Sequence, residues 1–600
     1  MIKLNHEYMK KSYSLKKKYI KGYNMTETER NRIISEEYAD LIVDYTYNYD
    51  KLKDLEDSTL NPINSLYSVI HVPVALFGVD SISRFGYYTI PSCYGLLSNE
   101  VNKTTVLNTA VGKLEELNSL NPTGRGVLIG FIDTGIDYTH PAFLDTRNHT
   151  RIASIWDQTI QSEATTMSSL NFGTEYSRIQ INEALRSPNP FDIVPSKDEI
   201  GHGTMLAGFA AGSANPLRNF VGTAPGAELA VVKLKEAKSF IKDFYEIPKE
   251  ATCYQENDII LGIKYLDQVA RTLSKPLIIC LGVGASLGDH SGGRVISRFL
   301  SEVSTGFDRS VVVAGGNEGN RGTHYFSNYM ASTNNEEVYL RVGEDTKGFS
   351  LQFLGVSPNY FWIDLYGPGN VYLSRVPPVD KQTAVINFES TTIHIDALLN
   401  IPYFYDQSII LRFHNPEPGD WKFHIYSSTQ ELSMNFHFWL PLHNFLSDKT
   451  FFLKPDNFTT LTDPSNNKTL ISTVAYNPTN LTLEYNSGKG FNISDDPKPD
   501  LTAPGVNIVC PYPNNQYVLG AGSSLSAGFT AGVSARVFEW ALVQENLPEM
   551  NHSILKKTMI QSAFRFPNIE YPNREWGYGI LTLDRMKTML EILASLNIRE

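Results

Sequence analysis

The stretch Gly124–Gly135, GRGVLIGFIDTG, decides how the rest of the chain is read. Its near-continuous apolar run ends on Asp133, followed by a turn-forming Thr-Gly pair. A strand buried on both faces reads as such a run. An acidic residue at its carboxyl end sits where parallel α/β sheets build their sites.

The same style recurs downstream in AELAVVKL, KPLIICLG and SVVVAGG. Between them, DIILGIKYLDQVARTL spaces Ile259, Ile260, Ile263, Leu266, Val269 and Leu273 as one buried helical stripe. Strands alternating with helices predict a parallel sheet flanked by helices. Residues from about 28 to 118 mix an acidic helix-like segment with β-rich pieces such as SLYSVIHVPVALFGV, enough for a small α+β unit. From about 335 to 450, segments such as FSLQFLGV, SIILRFHN and DWKFHIYS are aromatic and β-branched, with no helical period. They read as an all-β sandwich inserted into one α/β domain, because LISTVAYN and PDLTAPGVNIVC restore the earlier style.

Six hundred residues exceed one ordinary core, so two to four domains are expected. A net charge of −12 without a clustered basic face argues against nucleic-acid binding. Four cysteines, Cys93, Cys253, Cys280 and Cys510, form no CxxC pair, so zinc and redox motifs are not expected. The first 25 residues carry seven lysines but no apolar run of the signal-peptide kind, and Met25 is an alternative start. No run reaches the roughly 18 apolar residues of a membrane span. The expected location is therefore the cytoplasm, with no secretory signal.

Four stretches carry chemistry: FIDTGID with Asp133, GHGTMLAG with His202, AGGNEGN with Asn317, and GSSLSAGFTAG with Ser524. Each alone is weak. DTG makes good turns, a single His is more often structural, AGGNEG is a loop, and GSSLSAG is more often small-residue helix packing. Together they supply what acyl transfer needs: a nucleophile, its base, a carboxylate that orients the base, and oxyanion donors. The chain order Asp, His, Ser is that of the subtilisin arrangement.

DTGID, GHGT, GTAPGAEL, NEG and DLTAPGV resemble the subtilisin-like serine proteases, over about residues 120–330 and 465–585. RIASIWDQT, ATCYQENDIILGIKYL, GGNEGNRGTHY and the β insertion look like the Csp-type subtilases of spore-forming clostridia. The resemblance implies an N-terminal extension and prodomain over 1–110, a catalytic domain over 111–332 and 461–600, and an inserted jelly roll over 333–460. It implies Ser524 as nucleophile, His202 as general base and acid, Asp133 as orienting carboxylate and Asn317 as oxyanion donor. Leu281, Gly282 and Val283 would pair with an extended substrate, and Ala314, Gly315 and Gly316 would wall the first specificity pocket.

Further implications are self-cleavage between about residues 90 and 110, a prodomain that stays bound, and activation of a spore cortex hydrolase zymogen during germination. Packaging in the spore, a protein substrate and sister subtilase-like partners belong to the same resemblance. No cofactor is required by it and no metal ligands are assigned, although subtilases often carry structural calcium. Ser523 replaces the family's Thr, Gly528 its Pro, and Cys280 a frequent Ser. His290 in GDHSGG matches a position near the family's cleft, but a surface-loop histidine is the safer reading. A catalytically silent germinant sensor or scaffold, and a general housekeeping subtilase, remain the alternatives.

Overall fold

The structure, a computed structural model, describes residues 25–78, 80–97, 122–162, 170–329, 335–399, 406–428 and 434–597. A nine-stranded sheet lies at its centre. Its strands are β1 (Leu128–Asp133), β2 (Ile152–Asp157), β3 (Thr174–Ser177), β4 (Glu228–Lys233), β5 (Leu277–Leu281), β6 (Arg309–Ala314), β7 (Ile471–Asn477), β8 (Thr482–Leu483) and β9 (Leu501–Pro504). Their order is β8-β7-β6-β5-β1-β4-β2-β3, with β9 also paired to β7. All pairings are parallel except β2–β3 and β7–β8 at the two edges.

Helices cover both faces, which is why the strands read as continuous apolar runs. On one face lie α1 (His202–Ala211) and α4 (Ser523–Phe538), packed on residues such as Ile129 and Phe131. On the other lie α2 (Glu256–Leu273) and α3 (Val295–Ser304), packed on Leu128 and Ile132. Gly130 interrupts the apolar run of β1 because α2 presses there: a Cβ would stand 2.7 Å from Leu266 Cδ1. Ile259, Ile260, Ile263, Leu266 and Val269 are buried along α2 as their spacing predicts. Leu273 is not; it ends the helix and is 38% exposed.

α1 and α4 are buried along their whole length. Their small residues allow this, since a Cβ on Gly528 would come within 3.1 Å of Leu206 O and one on Gly532 within 2.7 Å of Ala210 O.

Among the described residues the N-terminal part opens with a helix, Glu27–Ile34, whose first turn is closed by a Thr26–Glu29 capping box. A three-stranded antiparallel sheet follows, with Tyr67–Pro73 between Tyr38–Asp44 and Thr59–Pro62. The chain then runs into the body of the molecule. The short strand Cys93–Leu96 is inserted between Tyr254–Gln255 and Val283–Gly284, antiparallel to both.

Between β6 and β7 in sequence stand two antiparallel sheets of six and five strands. Along Gly419–Ser427 the side chains alternate, with Trp421, Phe423 and Ile425 inside and Lys422, His424 and Tyr426 toward solvent. Phe349, Phe353, Phe413 and Phe438 from the facing sheet complete the core of this sandwich. One of its strands, His324–Tyr329, lies ahead of residue 333. All four cysteines are buried free thiols.

Candidate active site

Three element ends meet at the carboxyl edge of the sheet: β1 ends on Asp133, α1 starts with His202, and α4 starts with Ser523 and Ser524. His202 Nδ1–H donates to Asp133 Oδ1 at 2.6 Å. That leaves Nε2 to accept from the Ser524 hydroxyl at 3.0 Å. All three side chains are almost wholly buried.

Burial alone would disfavour the imidazolium. The charges of Asp133 and Asp198, with the Asp133 hydrogen bond, outweigh it, so the His202 pKa lies above its ordinary value.

Asp198, four residues before His202, shapes the turn that presents the imidazole. Its Oδ1 accepts from Gly201 N–H and the Thr134 hydroxyl, and its Oδ2 accepts from both Thr204 N–H and Thr204 Oγ–H. Thr134 Oγ1 in turn accepts from Gly203 N–H at 2.8 Å. The residue after Asp133 is thus tied to the residue after His202. Sequence reading missed both groups; the acidic residue just ahead of GHGT was the available signal.

Asn317 follows the loop after β6. Its Oδ1 accepts from Ser523 N–H at 3.0 Å, and its buried Nδ2 has no hydrogen-bond partner among the described residues. A fixed, unpaired amide donor beside the start of α4 is what an oxyanion site requires. Ser523 Oγ accepts from Gly316 N–H at 3.0 Å, so the hydroxyl that replaces the family's Thr braces this loop. Gly522, at φ 135°, makes the entry into α4 that a residue with a Cβ would resist.

The cleft is filled by the chain itself. Gly95 and Leu96 pair with Gly284 and Val283, Leu97 N–H donates to Gly282 O at 3.1 Å, and Leu97 O accepts from Ser524 N–H at 3.2 Å. The edge therefore runs from Gly282 to Gly284. Leu281, expected on it, still belongs to the parallel sheet, where it pairs with Ile132 and Val313.

Leu97 is fully buried, and a Cβ on Gly284 would come within 2.8 Å of its Cδ1. Ala314 ends β6, and Gly315 and Gly316 continue beside it. Thr462 lies against both Gly284 and Gly316, joining the segment after β5 to the segment after β6. Its place was not legible, because it arrives from beyond the inserted sandwich.

His290 is a correction. It is not on the surface but 2% exposed, with its ring stacked on Trp439 at 3.7 Å. Trp439 comes from the sandwich and covers a loop whose composition alone looks solvated. Among the described residues no group of three or more His, Cys, Asp or Glu is arranged to hold a metal ion, and no helix is long and apolar enough to cross a membrane.

A second buried cluster joins the N-terminal part to the catalytic body. Asp40 Oδ1 accepts from Lys238 Nζ at 2.6 Å and His71 Nδ1–H at 2.7 Å, and Oδ2 accepts from Gln255 and Asn257. Burial pushes the Asp40 carboxyl up, but Lys238 and His71 prevail and hold it well below the usual range. Nearby, Arg294 pairs with Glu256 at 2.6 Å while donating to Ile90 O at 3.2 Å, and Glu256 also accepts from Ser92 N–H.

The Subtilase family model, peptidase S8, matches residues 124–369 and 447–579, more than half of the chain. The chain belongs to the subtilase family of serine endopeptidases. It is similar to the Clostridium perfringens CspB protease, whose structure superposes with a TM-score of 0.70 at 28% identity, covering 80% of this chain and 96% of that one. Two Arabidopsis thaliana subtilisin-like proteases also match: SBT2.1, 34% identical over 130 residues, and SBT1.2, 33% identical over 127 residues. Each of those matches spans 18% of this chain, and only 15% and 16% of the respective relatives' lengths.

Proposed function

We propose that the chain is an endopeptidase that cuts itself once, after Leu97, and retains its N-terminal part as a bound prodomain. One observation carries this reading: Leu97 O accepts from Ser524 N–H while Ser524 Oγ is hydrogen-bonded to His202. Ser524 Oγ attacks the Leu97 carbonyl carbon as His202 Nε2 takes its proton. Charge developing on Leu97 O is met by Ser524 N–H and Asn317 Nδ2. His202 then returns the proton to the amine of Ser98 as the C–N bond breaks, and a water molecule, activated the same way, releases the acyl group.

The Asp40 cluster supports retention, because separating the two parts would strand Asp40 and Lys238, which are now buried and paired, and would take from Glu256 and Arg294 their bonds to Ser92 N–H and Ile90 O. The substrate proposed, a protein zymogen of a spore cortex hydrolase cut during germination, comes from the resemblance of the sequence motifs to the Csp-type subtilases, and the likeness to a CspB protease fits a protein substrate. The jelly-roll assignment of the sandwich, and work alongside sister subtilase-like proteins in the spore, rest on the same likeness.

The test compares wild type with Ser524→Ala by intact mass and by labelling with a fluorophosphonate. Two fragments and a labelled Ser524 in wild type alone support the proposal. Two full-length, unlabelled chains would favour the silent sensor.

A further inference from the structure

In the cleft strand, Gly95 lies two residues before Leu97 and is buried. It is covered from outside the catalytic sheet. A Cβ on Gly95 would stand 2.8 Å from Leu442 Cδ1, 2.9 Å from Phe445 Cζ and 3.0 Å from Asn444 Nδ2. These residues follow Met434–Trp439, a strand of the sandwich.

The cover is anchored. Leu442 and Phe445 are 1% and 3% exposed, so neither tip has free space into which to retreat. Phe445 N–H donates to Leu442 O at 2.9 Å. His443 gives Glu318 two hydrogen bonds, from N–H at 3.1 Å and from Nδ1 at 2.7 Å. Glu318 directly follows Asn317, so the cover is fixed to the loop that carries the oxyanion donor. On the strand side, Leu440 N–H donates to Thr323 O at 2.8 Å, and Asn444 Nδ2 reaches Leu96 O at 3.4 Å.

We infer that Leu442, Asn444 and Phe445 make the cleft selective for chains with glycine as the third residue before the cut bond. The inference rests on the protease reading above and names the substrate class of that site. Self-cleavage after Tyr-Gly-Leu-Leu is its first instance, and a protein substrate would need glycine at the same place. The sandwich is then part of the specificity apparatus, contributing a steric filter against every other residue at that position.

Two fluorogenic peptides test it on the purified full chain: Tyr-Gly-Leu-Leu and Tyr-Val-Leu-Leu, each with a coumarin amide after the last leucine. Wild type is expected to prefer the glycine peptide about 10- to 100-fold in kcat/KM, the range for forcing a branched side chain into a packed site. Leu442→Ala combined with Phe445→Ala should bring the ratio near unity, chiefly by raising activity on the valine peptide. In cis, Gly95→Val should leave the chain uncut, and adding the same two alanines should restore cutting after Leu97. Equal hydrolysis of both peptides by wild type overturns the inference while leaving the protease reading intact. If a cut chain hydrolyses neither peptide because its own Gly95–Leu97 strand holds the cleft, the in-cis pair decides, and cutting of Gly95→Val after Leu97 overturns the inference; hydrolysis of neither with an uncut chain overturns the protease reading and the inference with it.

Discussion

The backbone N–H of Ser524 donates to the carbonyl oxygen of Leu97 at 3.2 Å, joining two residues far apart in the sequence. That bond places a peptide carbonyl of the chain against the start of α4, where N–H groups that lie outside the helix ladder and the helix dipole favour a developing negative charge.

Asn317→Ala should lower kcat for the glycine peptide by about 10²–10³-fold with little change in KM, because its Nδ2 acts on the charge that appears only in the transition state. Steady-state kinetics checks this, with Ser523→Ala as a comparison that removes the brace on Gly316 and leaves the amide donor.

Gly282→Ala should cost activity without preventing folding. The added methyl would stand 2.9 Å from Leu206 Cδ2, 3.0 Å from Asp133 Oδ2 and 3.1 Å from His202 Cε1. Displacing the imidazole by a few tenths of an ångström is expected to lower kcat about 10- to 100-fold. The same variant should keep the wild-type thermal transition within a few degrees.

Activity needs neutral His202, whose pKa is raised by Asp133 and Asp198 against burial. Wild-type kcat/KM should therefore fall on acidification through a pKa above the ordinary imidazole value of about 6.5. Asp198→Asn removes one of the charges that favour the imidazolium. Its acid limb should move to lower pH, even as the looser Gly201 turn lowers the plateau. A pH–rate profile of both proteins separates the two effects.

Lys238→Met should loosen the N-terminal part. It removes the ammonium facing Asp40 in a cluster where both side chains are nearly fully buried, a loss of about 3–5 kcal/mol when one partner of a buried pair is taken away. After self-cleavage, size-exclusion chromatography should show the small fragment co-eluting with the large one in wild type and separating from it in the variant.

The catalytic sheet was legible because each strand is a local apolar run, and Asp133, His202, Asn317 and Ser524 because each sits in a short motif. The helix stripe of α2 was legible to Val269, and failed at Leu273, where the helix ends and the last side chain turns to solvent. What could not be read depends on chain segments far apart in sequence. Cys93–Leu96 is too short to announce itself as a strand, and it becomes one only by docking between Tyr254–Gln255 and Val283–Gly284. His290 looked solvated in GDHSGG until Trp439 covered it, and nothing in the sequence near Gly95 announces that Leu442 and Phe445 close over it.

The most direct measurement is N-terminal sequencing, together with intact mass, of the purified wild-type protein. The account predicts a large fragment beginning at Ser98 and a co-purifying N-terminal fragment ending at Leu97. A chain that stays full length, or one cut at another bond while Leu97–Ser98 stays whole, would contradict it.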